Sequence, residues 1–149
     1  MARLLGRPPA AAFAVAVRRR SGAIVVIENA PFLDDGRPMP TRYWLVDPDL
    51  REAVSRLEAE GGVRRAEAAV DPDELRAAHD RYAAGRNALV PVDHVGPRPF
   101  GGVGGTRVGV KCLHAHLAFL LAGGDDPVGR FTAGELGLDL AEFVRTAGS

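Results

Sequence analysis

The segment Val110–Ala122 is apolar around nearly its whole circumference when it is read as a helix, and this feature constrains the fold more than any other. Its periodicity leaves no polar face that could lie against water. A helix of this kind must be enclosed by other elements, so we predict that it lies near the centre of the protein. Gly123–Gly124 is a typical helix end.

Three short segments before residue 47 have the composition of β-strands. Phe13–Arg20 alternates large and small residues, Ala23–Glu28 is rich in β-branched residues, and Thr41–Val46 carries a tyrosine and a tryptophan. Ser21–Gly22 between the first two segments is typical of a hairpin turn. We therefore expect an antiparallel meander of three or more strands within residues 13–46, packed with helices in an α+β fold.

Residues 47–149 are predicted to be mainly helical. Asp47–Pro48 and Asp71–Pro72 are both typical helix starts, because Asp caps the first turn and Pro fits the first helical position. Between the two helices, Val63–Val70 is ambiguous and is a candidate for a fourth strand.

The C-terminal part has weaker patterns. Asp125–Pro127 is interpreted as a turn, and two short helices are expected around Thr132–Glu135 and Asp139–Glu142. We find no internal repeat and no second domain, so residues 1–149 are interpreted as a single domain.

Composition narrows the class of partners. Nineteen basic residues balance nineteen acidic ones, which argues against a nucleic-acid-binding protein. One cysteine cannot form an intrachain disulfide, and no apolar run reaches the roughly 18 residues that a membrane span needs. Arg3–Val17 resembles a signal peptide, but Pro8–Pro9 opens its apolar part and Arg18–Arg20 closes it where a cleavage site belongs. We expect a cytoplasmic protein without a membrane partner.

A long aperiodic segment, Val90–Gly109, precedes the central helix and contains three prolines and six glycines. Loops of this length in small domains are typically functional or disordered. Glycines expose backbone N–H groups, and a helix N-terminus carries partial positive charge, so the junction suits an anion such as phosphate. The alternative is a loop that needs glycine only for tight packing. Arg107 and Lys111 add full positive charges, and Lys111 is the only lysine beside eighteen arginines. Lysine at this one position, in a chain that otherwise uses arginine, indicates that position 111 prefers an ammonium group to a guanidinium.

The junction does not have the spacing of a nucleotide-binding P-loop. Val110 separates Gly109 from Lys111, and Cys112 stands where that motif has a hydroxyl to bind magnesium. No cofactor fingerprint is present elsewhere, and we expect no cofactor.

The central helix carries the cysteine and two of the four histidines. Helical periodicity places Cys112 and His116 on one side and His114 nearly opposite. A cysteine at a helix N-terminus beside Lys111 would have the lowered pKa of a nucleophile. The alternative is a buried, inert thiol with core histidines, because such a helix buries most of its residues.

A second polar set lies on the helix that begins after Asp71. His79, Tyr82 and Arg86 continue the apolar stripe of Leu75 and Ala78. Either the polar ends of Tyr82 and Arg86 reach the margin of the core, or the stripe lines a polar cleft against the glycine-rich loop.

Several of these segments together resemble a bacterial family known as domain of unknown function 501. They are Pro40–Leu45, the His79/Tyr82/Arg86 stripe, Val110–His114 and Asp126–Gly129. The family has no established activity. Many of its members carry cysteines at places that correspond here to Arg19–Gly22 and Asp47. A zinc site built from such cysteines and Cys112 would therefore lack three of its four ligands in this chain, and we expect no metal.

Two functional hypotheses follow. The first is a binding module for a small anion or phosphorylated molecule, built on the glycine-rich loop 101–109 and the helix start at Lys111. Its predicted ligand-binding residues are Arg107, Gly109, Lys111, His79, Tyr82 and Arg86, and we expect Lys111, Arg107, His79 and Arg86 to converge on one cleft. The second is a hydrolase or transferase on a phosphorylated substrate, with catalytic candidates His79, Lys111, Cys112 and His114. A non-catalytic scaffold, with the apolar helix packed in a homodimer, is a further alternative.

Overall fold

The sheet has four antiparallel strands in the order β3–β2–β1–β4 in the computed structural model, which describes residues 13–146. Most of the signal-peptide-like stretch lies outside these residues. β1 (Phe13–Arg19) and β2 (Ile24–Asn29) form a hairpin, and Gly22 takes the positive φ of 100° that its turn requires. β3 (Tyr43–Leu45) pairs with the other edge of β2. The predicted three-stranded meander is confirmed.

The fourth strand comes from the end of the described chain. β4 (Phe143–Arg145) pairs with the free edge of β1, so the helical part does not extend to the C-terminus as predicted. Three residues are too few for an alternation that sequence reasoning could detect.

Three helices follow β3. They are α1 (Pro48–Ala59), α2 (Gly62–Ala69) and α3 (Pro72–Asn87). α1 and α3 begin at the predicted Asp–Pro pairs: Asp47 accepts a hydrogen bond from the backbone N–H of Leu50, and Asp71 accepts one from Asp73. Residues 63–69 of the ambiguous segment are helical rather than a strand, and the buried positions of α2, Gly62 and Ala66, have helical spacing.

The apolar helix α4 (Leu113–Leu121) lies at the centre, as predicted, and seven of its nine residues are buried. It packs against β3, α1 and the following helix. Because the chain itself encloses α4, this helix offers little apolar surface for a homodimer.

The start of α4 differs from the prediction. Cys112 has an extended backbone, with φ of −153° and ψ of 152°, so residues 110–112 precede the helix and Lys111 does not lie in its first turn. Carboxylates of two other helices accept the backbone N–H groups here. Glu67 accepts a hydrogen bond from the N–H of Val110 at 2.9 Å, and Glu58 accepts one from the N–H of Leu113 at 2.7 Å. The second of these bonds caps the helix where it starts, at Leu113.

A third Asp–Pro pair begins α5 (Pro127–Glu135), where the sequence interpretation placed a turn and a later helix start. The carboxylate of Asp126 accepts hydrogen bonds from the N–H groups of Val128 and Gly129. A single 3-10 turn, Leu140–Glu142, then begins at Asp139 and leads into β4. Among the described residues, none of the helices is both long and apolar enough to cross a lipid bilayer.

Candidate functional site

The glycine-rich loop is held against α3 by His79. Its ring nitrogen Nδ1 accepts a hydrogen bond from the N–H of Val103 at 3.0 Å, and Nε2 donates one to the carbonyl of Gly109 at 2.8 Å. Both nitrogens are therefore engaged in a neutral ring that is 3% exposed. Burial lowers the pKa of His79 below its ordinary value, against the opposing effect of the Gly109 hydrogen bond.

Arg86 fixes the same loop at its beginning. Its guanidinium donates to the carbonyls of Pro40 and Phe100, at 3.0 and 3.3 Å, and also to the side-chain oxygen of Asn87. Tyr82 accepts a hydrogen bond from the N–H of Tyr43 at 3.1 Å, and burial raises its pKa to about 12. The polar stripe of α3 thus faces the glycine-rich loop, and His79 and Arg86 contact the loop directly instead of lining a wide cleft.

Close packing explains two of the loop's glycines. A Cβ on Gly102 would lie 2.5 Å from side-chain atoms of His79, and one on Gly101 would lie 2.5 Å from the carbonyl oxygen of Gly105. Gly101 also has a φ of 80°, which L side chains rarely adopt. At these positions, glycine is needed to seat the loop, independently of any ligand.

The structure does not bring together the four residues that were expected to converge, Lys111, Arg107, His79 and Arg86. His79, Arg107 and Gly109 line a small cavity of about 270 Å³. Lys111 lines a different and larger cavity of about 900 Å³, while Arg86 is buried against the loop. The predicted single cleft is therefore absent among the described residues. Lys111, which precedes α4, lines one cavity, whereas Arg107 and Gly109, which come before residue 110 in the chain, line the other.

The larger cavity, called the cleft below, lies between β3, α1 and the start of α4. It is lined by Thr41, Tyr43, Trp44, Leu45, Pro48, Arg51, Glu52, Ser55, Gly104, Lys111, Cys112, His114 and Ala115. Lys111 is exposed there, and no carboxylate within residues 13–146 pairs with it. Glu52 is engaged in an ion pair with Arg56 along the same helix. The positive charge of Lys111 is therefore not neutralised by a carboxylate of the described residues.

One wall of the cleft carries a cluster of ionisable groups. Side-chain ligand atoms of Glu58, Cys112 and His114 all lie within 4.8 Å of one another. His114 Nδ1 lies 3.2 Å from Glu58 Oε1. A hydrogen bond with Cys112 raises the pKa of His114 above its ordinary value, Glu58 and the carbonyl of Arg51 act in the same direction, and burial opposes them.

The prediction that Cys112 and His116 lie on one side of the central helix is wrong. Cys112 precedes the helix, so the spacing of four residues does not align the two side chains. His116 is buried and its Nδ1 lies 2.7 Å from Asp126 Oδ2, on the side of α4 that faces α5. It is a core histidine, which was the alternative interpretation.

Sequence reasoning missed Glu58, Ser55 and Arg51. All three lie on α1, where they appear as ordinary polar residues of an amphipathic helix. Only the packing of α1 against α4 places them beside His114, and no local pattern indicates that contact.

Fold and site together define a class of protein: an α+β domain whose sheet and helices enclose one apolar helix, with a polar cleft where that helix begins. The chain belongs to the family described as protein of unknown function DUF501, whose model matches residues 15–134. The family resemblance seen in the sequence is therefore confirmed. No curated protein and no solved structure gives a significant match to this chain.

Proposed function

We propose that this chain is a cytoplasmic binding protein for a small phosphorylated molecule, and that the cleft around Lys111 is its binding site. The observation that carries the proposal is the position of Lys111. The only lysine of the chain lies at the wall of the cleft, exposed and without a carboxylate partner in residues 13–146. An ammonium group with three rotatable donors suits a phosphate whose orientation varies with the rest of the ligand.

Other residues of the cleft supply the remaining interactions of such a ligand. The side chains of Arg51, Ser55 and Thr41 offer a second cation and two hydroxyl groups. Tyr43 and Trp44 form an aromatic wall for the part of the ligand that carries no charge. This combination of a few polar groups with an aromatic surface is typical of small-molecule sites.

The small cavity beside Gly109 is less suited to an anion. Arg76 and Arg107 line it, but so does Glu67, and the two ring nitrogens of His79 are already bonded to the loop. A ligand there would lie beside the Glu67 carboxylate and could not use the nitrogens of His79. Arg107 lines the small cavity and not the cleft, so its substitution distinguishes binding in one from binding in the other.

A hydrolase or transferase acting on the same kind of ligand is the second candidate. The observation that favours it is His114, which lines the cleft and contacts Glu58. A histidine oriented by a carboxylate is the usual arrangement of a general acid–base. His79 does not suit that role, since both its nitrogens hold the loop.

Thermal unfolding in the presence of inorganic phosphate, pyrophosphate and a sugar phosphate tests the proposal. A ligand at about 100 times its dissociation constant stabilises the native state by about 2.7 kcal/mol, which raises the melting temperature by several degrees. Lys111→Met keeps the length of the side chain, removes the charge, and should abolish the increase without lowering the stability of the unliganded protein.

Arg107→Met is the matched control, because it removes one exposed cation from the other cavity. It should leave the ligand-induced increase intact. An increase that persists in Lys111→Met and disappears in Arg107→Met would move the binding site to the small cavity and refute the proposal.

A further inference from the structure

We propose that Glu58, Cys112 and His114 form a binding site for a divalent transition metal of the zinc type. One ligand atom of each side chain lies within 4.8 Å of the other two. The sequence predicted no metal because three of the four ligands of a zinc site suggested by the family resemblance are missing in this chain. The third donor is a carboxylate of α1 that only the fold brings to this place.

The spacing of the nitrogen and oxygen donors fits a tetrahedral ion. With metal bonds of about 2.0–2.1 Å to nitrogen and oxygen, two tetrahedral ligands lie roughly 3.3 Å apart. His114 Nδ1 and Glu58 Oε1 are separated by 3.2 Å. An ion bound to both would therefore need little movement of either side chain.

Neighbouring backbone groups orient both ligands. His114 Nε2 lies 3.3 Å from the carbonyl oxygen of Arg51, which can only accept a hydrogen bond, so Nδ1 is the nitrogen left for a metal. The other oxygen of Glu58, Oε2, accepts the N–H of Leu113 at 2.7 Å, which leaves Oε1 for the same ion. Such contacts from outside the ligand set are typical of metal sites, where they fix the tautomer and the ring orientation.

The chemistry of the three donors selects the metal. A thiolate and an imidazole favour zinc, cobalt or nickel over magnesium and calcium, which prefer oxygen ligands. The thiolate and the carboxylate together balance the charge of a divalent ion. Binding converts the Cys112 thiol to a thiolate and releases its proton to solvent.

The site also has an open side. Cys112 and His114 line the cleft, so the fourth position of a tetrahedral ion would face its interior and accept water or a ligand. Three protein ligands with one open position are the pattern of catalytic rather than structural zinc sites. This inference does not rest on the proposed anion binding, because Lys111 is not one of the ligands.

Titration of the EDTA-treated, tag-free full chain with Co²⁺ tests the site directly. We expect one Co²⁺ per chain, a thiolate-to-cobalt charge-transfer band in the near ultraviolet, and displacement of Co²⁺ by Zn²⁺. Cys112→Ser should abolish the band. Glu58→Gln, which keeps an oxygen acceptor for the Leu113 N–H, should weaken Co²⁺ binding at least tenfold.

His94→Gln is the matched control, since His94 stacks on Phe32 away from the cluster and its loss should leave the titration unchanged. Lys111→Met should also retain Co²⁺ binding, so failure of the anion proposal and failure of the metal proposal are distinguishable. Absence of a band in the wild-type protein, or binding that Glu58→Gln leaves unchanged, would overturn the metal site. If Cys112→Ser does not fold, alkylation of Cys112 in the wild-type protein replaces it: Zn²⁺ should slow the reaction, and an unchanged rate would overturn the proposal.

Discussion

The side chain of His79 lies so close to Gly102 that a Cβ at position 102 would come within 2.5 Å of its Cβ and Nδ1 and within 2.7 Å of its Cγ. His79 also bonds the loop on both sides of this contact, through Val103 and Gly109. The glycine-rich loop is therefore a packed part of the protein, positioned by a buried histidine. Its conformation sets where Gly104 lies, and Gly104 forms part of the cleft wall.

Gly102→Ala is expected to destabilise the protein by about 1–3 kcal/mol, because the added methyl group overlaps the histidine ring and must displace it. Gly134→Ala is the matched control: nothing lies within 4 Å of a Cβ there, and the residue is in α5. This control should stabilise by up to about 1 kcal/mol, since alanine favours the helix. Chemical denaturation measures both changes, and equal stability of the two variants would contradict the packing argument.

Acid should weaken the fold through His79. Burial places its pKa in the folded state below the ordinary value of 6.5, so the unfolded chain binds a proton more readily. The contribution of His79 is complete above pH 6.5 and is lost as the pH falls from there through the folded-state pKa, with a slope of at most about 1.4 kcal/mol per pH unit. Burial raises the pKa of Asp47, but hydrogen bonds from Arg19 and Leu50 outweigh this effect and lower it below the ordinary value of 3.8. The stability that Asp47 contributes is therefore lost only as the pH falls below 3.8.

Unfolding free energies measured at intervals between pH 8 and pH 4 test this dependence. His79→Asn, which keeps an acceptor near Val103, should be less stable than the wild type above pH 6.5. Its stability should also depend less on pH just below that value. A wild-type stability that is constant across this range would show that His79 does not titrate as its burial requires.

Removal of the Arg86 side chain should destabilise the protein by about 2–4 kcal/mol. Arg86→Met removes a buried guanidinium and leaves the part-buried carbonyls of Pro40 and Phe100 without their donor, and a polar group shielded from water without a partner costs about 1–3 kcal/mol. Arg64→Met is the control, because Arg64 is exposed on α2. Thermal and chemical unfolding of the pair should separate them clearly. Similar stabilities would mean that water replaces the guanidinium.

Because Asp126 also contacts the buried His116, it should contribute more to the free energy of unfolding than an ordinary helix cap does. Asp126→Ala removes two backbone hydrogen bonds at the start of α5 and the partner of His116 at once, and we expect a loss of about 3 kcal/mol or more. Asp139→Ala removes an exposed cap of the same chemistry and should cost about 1 kcal/mol. If the two variants lose equal stability, the contact with His116 contributes nothing.

Local patterns in the sequence were enough to predict the hairpin of β1 and β2, the helix starts at Asp47 and Asp71, and the central position of α4. Each depends on residues close in the chain. The same Asp–Pro pattern at Asp126 was interpreted as a turn, although Asp126 caps α5 as Asp47 caps α1. That error was one of interpretation, since the signal was present.

The candidate site could not be predicted in the same way. The helix that carries His114 starts at Leu113 because carboxylates of α1 and α2 accept N–H groups from residues distant in sequence. This shift moves Lys111 and Cys112 out of the helix and onto the wall of the cleft. Glu58 joins the cluster through the same tertiary contact. Periodicity along one segment contains no information about such contacts.

The binding of a phosphorylated ligand in the cleft is tested most directly by nuclear magnetic resonance. Backbone amide shifts of the EDTA-treated, isotopically labelled protein would be followed during titration with pyrophosphate. We predict saturable changes that are largest at Tyr43, Trp44, Ser55, Lys111 and Cys112, and their loss in Lys111→Met. Changes centred on Val70, Val108 and Gly109 beside the small cavity, or no saturable change at all, would contradict the proposal.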